Sequence, residues 1–205
     1  MRRRVFAAIV ALIMLGIDSP QFAQHQQVGV VVHNRALVSD TMMLEARSIV
    51  QSVYVQAGVQ LEWFAATPTS HTSFVGRRVH IIVVTESGAA NVTYSPDAVG
   101  FTPGGEGHHG DVAYILEHRV RTIAQSYRLP PGVVLGAAMA HEMGHMLRQS
   151  GHTATGLMRA EFNQADFRRI MRGELRLSLA EAADLRARLM EPPVHVRVSA
   201  HQLVE

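Results

Sequence analysis

The 205-residue sequence contains no cysteine and no lysine. The first absence excludes disulfides, iron–sulfur clusters, thiolate zinc sites and cysteine nucleophiles together. The second excludes a Schiff-base lysine and the lysine of a phosphate-binding loop. Charged residues are sparse, at 18%, and 47% of the chain is hydrophobic, a balance that suits a folded globular chain rather than a disordered one. No basic patch with interleaved aromatics is present, so nucleic acid is not expected as a partner. Histidine, by contrast, is plentiful at 12 residues. Any transition-metal site must therefore be built from imidazole and carboxylate.

The first residues read as an export leader. Arg2, Arg3 and Arg4 precede an apolar run from Val5 to Ile17, which Asp18 breaks. The run suits a secretory signal and is too short to cross ~30 Å of hydrocarbon as a helix. Residues 1–23 are assigned to the signal peptide, although Gln21 stands where a small residue is preferred. An uncleaved N-terminal anchor is the alternative. Leader removal takes three arginines and one aspartate from 19 basic and 17 acidic residues, which balances the two signs. With cysteine absent, the expected location is secreted or periplasmic, without stable membrane insertion after processing. Residues 24–205 suffice for one domain with a sizeable core and are short for two.

Periodicity then outlines the elements. Val28 to His33 reads as a short buried strand. Ser39, Asp40 and Thr41 offer helix caps ahead of Met42, Ala46, Ile49, Val50, Val53 and Ala57 at helical spacing, and Gly58 ends that helix. Val59, Leu61 and Trp63 alternate with Gln60 and Glu62, as in a half-buried strand. The largely apolar, β-branched stretch Val79 to Val84 predicts a central strand covered on both faces. Residues 86–110 form a long glycine-rich connection. Asp111 to Leu116 alternates and is placed at a sheet edge. Val120, Ile123, Ala124 and Tyr127 mark a helix stopped by Pro130 and Pro131. A long, mostly apolar helix follows from about Gly132 to about Gln149. Two short helices come later, the second opened by the capping box Ser178-Leu179-Ala180-Glu181. Pro192 and Pro193 end it, and the tail from Val194 reads as a strand or as disordered.

The long helix carries His141-Glu142-Met143-Gly144-His145. Histidines four apart lie within ~40° of one another, one turn along, so both imidazoles can reach one ion at ~2.0–2.1 Å. Glu142 lies about 100° round the helix, beside the ion without ligating it, where it can serve as the base for water. A catalytic zinc needs a third ligand and an open position. His152 would be ~16 Å from His141 on a continued helix, so the helix must stop and the chain must fold back. Gly151 offers the turn. The rival third ligand is a downstream carboxylate, as in gluzincins, with Glu161 nearest and Asp166 next. His108 and His109 read as a flexible surface loop, with a cleft or second-ion role as the alternative. His80 and His118 read as structural, and Asp97 and Asp111 have no calcium-site spacing.

The motif His141-Glu142-Met143-Gly144-His145, the pair Gly151-His152 and the segment Gly156-Leu157-Met158 resemble the metzincin branch of the zincin peptidases. That resemblance implies a third histidine after the helix and Met158 in a tight turn beneath the ligands. It also implies an extended substrate along an edge strand, for which Asp111 to Leu116 is the candidate. The sequence departs from the family pattern in three ways. Arg148 stands where the family has a glycine, and Gly151 where it has the third histidine, so His152 comes one residue late. No tyrosine follows Met158.

The expected fold is mixed α/β (α+β) and zincin-like, in one catalytic domain. Residues 24–151 would form a twisted mixed sheet with helices, floored by the active-site helix. Residues 152–205 would form a smaller helical part. The expected function is zinc-dependent hydrolysis of peptide or protein substrates, with Zn2+ on His141, His145 and His152 and with Glu142 as base. The alternatives are a gluzincin-type peptidase and a zinc-stabilised binding module without turnover.

Overall fold

A computed structural model describes residues 26–66, 74, 76–90, 92–103, 110–148 and 151–191. The leader, the His108-His109 pair and the tail from Val194 lie outside the described residues. The fold is mixed α+β, a five-stranded sheet with five α-helices among the described residues.

Strand β1 (Gln26–Asn34) leads through helix α1 (Asp40–Gln56) to β2 (Val59–Phe64). Ser39 caps α1 by accepting from Met42 N, and Gly58 takes φ +80 just beyond its end. Parallel strands require such a crossover, and β1 pairs in parallel with β2 on one side. On its other side β1 pairs in parallel with β3 (Arg77–Val84), and β3 pairs in parallel with β5 (Val112–Leu116). A two-residue strand, β4 (Gly100–Phe101), closes the edge antiparallel to β5. The order is β2-β1-β3-β5-β4.

Two expectations are corrected here. Asp111 to Leu116 is not the edge, because Gly100 and Phe101 pair with Ile115 and Tyr114 on its outer side. Central strand β3 is fully covered on one face only. Val79, Ile81 and Val83 are buried with Val28, Val30, Val32, Ala113 and Ile115, whereas on the opposite face Val84 is buried in a second, smaller cluster with Ala89 and Leu116 and His80 and Ile82 stay partly exposed. His80 is the break in the apolar run that marks this second face.

Helix α2 (Glu117–Tyr127) ends at Arg128 in the left-handed conformation, φ 54. Pro131 then opens helix α3 (Pro131–Leu147) at a position where its missing N–H costs nothing. Helix α3 is buried on nearly every side, and one feature explains how closely it packs. Gly132, Gly136, Ala140 and Gly144 recur every fourth residue along one stripe. A Cβ on Gly136 would lie 2.8 Å from Ala46 O and 2.9 Å from Ile49 Cβ, so the backbones of α1 and α3 come nearly into contact. At the next step Tyr54 on α1 donates its hydroxyl to Ala140 O at 2.9 Å.

Helices α4 (Gln164–Met171) and α5 (Leu179–Met190) complete the molecule. Both begin with full capping boxes, Asn163 with Asp166 and Ser178 with Glu181. One continuous apolar cluster runs from Val28 through Met139, Met143 and Met158 to Leu185. The C-terminal part therefore packs onto α3 as part of the same core. Among the described residues, no helix is long and apolar enough to cross a membrane.

Candidate metal centre

The C-terminal half of α3 presents the motif. His141 and His145 sit one step round the helix from Ala140 and Gly144, so the small stripe packs inward while the two imidazoles project beside it. The helix stops at Leu147. Arg148 already has extended backbone, φ −118 and ψ 165, three residues before Gly151.

The chain returns so that His152 meets the other two. Nε2 of His145 lies 3.0 Å from Nε2 of His141 and 3.1 Å from Nε2 of His152, and the remaining pair is 3.3 Å apart. Nitrogens bound at 2.0–2.1 Å to one tetrahedral centre stand roughly 3.3–3.4 Å apart, close to this triangle. The donor chemistry fits as well. Nδ1 of His141 lies 2.9 Å from the carbonyl oxygen of Leu157, which can only accept, so Nδ1 carries the proton and Nε2 presents a lone pair. Burial pushes the pKa of His141 down to about 4, opposed by that hydrogen bond and assisted by His152 and Arg148. The ring is therefore neutral, as a ligand must be. A shared proton could join only one pair of the three nitrogens at a time, whereas one cation satisfies all three. Among the described residues this is the one group of three or more histidine or carboxylate side chains placed to hold a metal ion.

The segment after His152 builds the floor. Thr153 N donates to Met158 O at 2.8 Å, and Gly156 takes φ +83 in the turn between them. Met158 is fully buried, and its sulfur fills the space beside Gly144. The same turn aims the Leu157 carbonyl at His141. Phe162 meets the His141 ring edge to face, with centroids 5.7 Å apart.

Glu142 is more enclosed than helix geometry alone implies, at 5% exposure. Its Oε2 accepts from the Thr102 hydroxyl at 3.0 Å. Gly100 leaves room for it, since a Cβ there would lie 2.9 Å from Glu142 Cγ. Burial raises the Glu142 pKa to about 7, against the lowering effect of Thr102. The carboxyl is thus poised to take or release a proton near neutrality.

The other sequence-derived candidates lie elsewhere. Glu161 is exposed and outside the cluster. Asp166 is buried, but it accepts from Asn163 N and pairs with Arg159 at 3.1 Å. His80 Nδ1 lies 3.1 Å from His33 Nε2, with the two rings stacked. His118 is in the first turn of α2, Asp97 is exposed, and Asp111 pairs with Arg77 at 2.9 Å. Sequence reasoning missed Thr102, Gly100, the Leu157 carbonyl and the partners of Arg148. The four-residue stripe of small residues on α3 was a readable signal only for the packing of that helix against α1 and Met158.

Comparison with protein-family models gives no match, and comparison with curated proteins gives none either. The centre is therefore defined by its own geometry: three convergent imidazoles and one buried carboxyl on and beside a single helix.

Proposed function

We propose that the chain is an exported zinc-dependent peptidase of the zincin type, similar to metzincins, acting on peptide or protein substrates. The observation that carries the reading is the convergence of three imidazole Nε2 atoms within 3.0–3.3 Å of one another, adjacent in sequence to a buried glutamate. Imidazole ligands with no thiolate suit zinc, and three protein ligands leave one position open. Zinc held by His141, His145 and His152 would supply Lewis acidity, polarising a carbonyl and lowering the pKa of water towards ~7.

The chain's own groups account for the rest. Glu142, buried beside the histidines, takes the proton of the attacking water and returns it to the leaving nitrogen. Thr102 holds that carboxyl in one orientation. The Leu157 carbonyl fixes the His141 tautomer and ring plane. A non-catalytic zinc module has no need of a buried carboxyl with a raised pKa beside the ligands. A gluzincin arrangement would need Glu161 or Asp166 at the cluster, and neither is there. Export rests on the Arg2–Arg4 and Val5–Ile17 pattern of the leader.

The test combines metal content with turnover. The purified chain should carry about one zinc per molecule and cleave members of a peptide library. Glu142→Gln should abolish cleavage and keep the zinc. A fully folded chain that takes up no zinc would sink the proposal, and full activity in Glu142→Gln would remove its mechanism.

A further inference from the structure

His152 is the exposed member of the triad, so core packing does not place its ring. Beyond its ring contacts with His141 and His145, its position is set by the chain around it. Four residues earlier, Arg148 is 1% exposed, although it is the longest charged side chain available. Its Nη1 lies 3.7 Å from Glu181 Oε1, and its Nε lies 3.7 Å from Asp184 Oδ2. One residue after His152, the Thr153 hydroxyl reaches the same Glu181 Oε1 at 3.0 Å. That hydroxyl also lies 2.9 Å from Thr155 O. The second oxygen of Glu181 accepts from Ser178 N at 2.7 Å. The Glu181 carboxyl is therefore fixed to its own helix by one oxygen. With the other it faces both ends of the segment that bears the third histidine.

The structure assigns Glu181 the role of positioning residue for His152. Helix α5 acts as a clamp on Arg148 and Thr153, the described residues that flank Gly151 and His152, before any ion arrives. Arg148 stands where the resembled family has a glycine, and here its buried guanidinium faces Glu181 and Asp184 of α5. The inference rests on the reading that the three histidines hold a metal, and it goes beyond it by naming what sets their spacing.

Glu181 is also the capping-box residue of α5, so a purely structural role must be separable. Glu181→Gln keeps a side-chain oxygen for Ser178 N, since glutamine serves in capping boxes, but removes the charge that faces Arg148. Thr153→Val cuts the other side of the clamp and leaves Arg148 untouched. Zinc affinity is read by competition with a chromogenic chelator in each variant, and again in each combined with His152→Ala. Outer partners of metal ligands are typically worth 10–100-fold in affinity. Glu181→Gln and Thr153→Val should each weaken zinc binding by roughly that factor in the native chain, and by little once His152 is gone. Equal losses with and without His152, or unchanged affinity in both variants, would overturn the clamp. Absence of zinc binding by the unaltered chain would instead overturn the metal reading on which it rests.

Discussion

The Met158 sulfur occupies the space that a side chain at Gly144 would fill. A Cβ on Gly144 would overlap that sulfur and would lie 2.9 Å from the methionine methyl carbon. The two residues belong to different halves of the centre, one on the helix that carries His141 and His145 and one in the turn beneath it. Gly144→Ala should cost about 1–3 kcal/mol, as overpacking does. Met158→Ala should cost about 2–5 kcal/mol through the cavity it leaves. In the double variant the alanine methyl enters that cavity, so urea denaturation should show a loss clearly smaller than the sum. Additive losses would mean that the two side chains do not share one space.

Thr102 holds the proposed base, so its hydroxyl should matter more than its shape. Thr102→Val removes the donor to Glu142 and keeps the volume. Peptide cleavage should fall by about tenfold or more, because general-base catalysis worth ~10²–10⁴ depends on the placement of the base. Thr102→Ser should retain most of the activity. A valine variant as active as the serine variant would remove the hydroxyl from the account.

His141 and Glu142 respond to acid in opposite senses in the metal-free chain. Burial lowers His141 from 6.5 to about 4 and raises Glu142 from 4.5 to about 7. As the pH falls from 7 to 4.5, the folded state gains a proton on Glu142 ahead of the unfolded state, and stability rises. As it falls from 6.5 to 4, the unfolded state gains a proton on His141 ahead of the folded state, and stability drops. Each effect is worth roughly 3 kcal/mol, so the two nearly cancel. Glu142→Gln leaves the histidine effect alone. In urea titrations the metal-free variant should lose stability on acidification between pH 6.5 and 4 more steeply than its parent. Parallel pH profiles would contradict the raised pKa of Glu142.

The identity of the third ligand can be read from affinity. His152→Ala should weaken zinc binding by at least tenfold, because it takes one of three donors from the centre. Glu161→Ala should leave affinity unchanged, since Glu161 is exposed and outside the cluster. The reverse order in a chelator competition would move the centre to a carboxylate-completed set.

Local signals carried much of the fold into the sequence. Ser39 and Gly58 bracket α1, and Ser178 with Glu181 opens α5, because caps are read from a few neighbouring residues. His141, Glu142 and His145 were legible for the same reason, since one helical turn fixes their relation. Strand β4 was not, because two residues carry no period, and their pairing with Tyr114 and Ile115 is settled across the sheet. The outward position expected of Asp111 to Leu116 failed on that same long-range fact. Thr102 sits among glycine and proline with nothing local to mark it. Arg148 was visible in the sequence, but its charged partners Glu181 and Asp184 lie on α5, beyond an intervening turn and helix.

The exposure of His152 has a kinetic consequence. Two of the three rings stand on a helix that cannot move without separating α1 from α3, and the third stands on a surface segment. A competing chelator would reach an ion seated among them from the exposed His152 side, so the hold on Arg148 and Thr153 would set how long the ion stays as well as how tightly it binds.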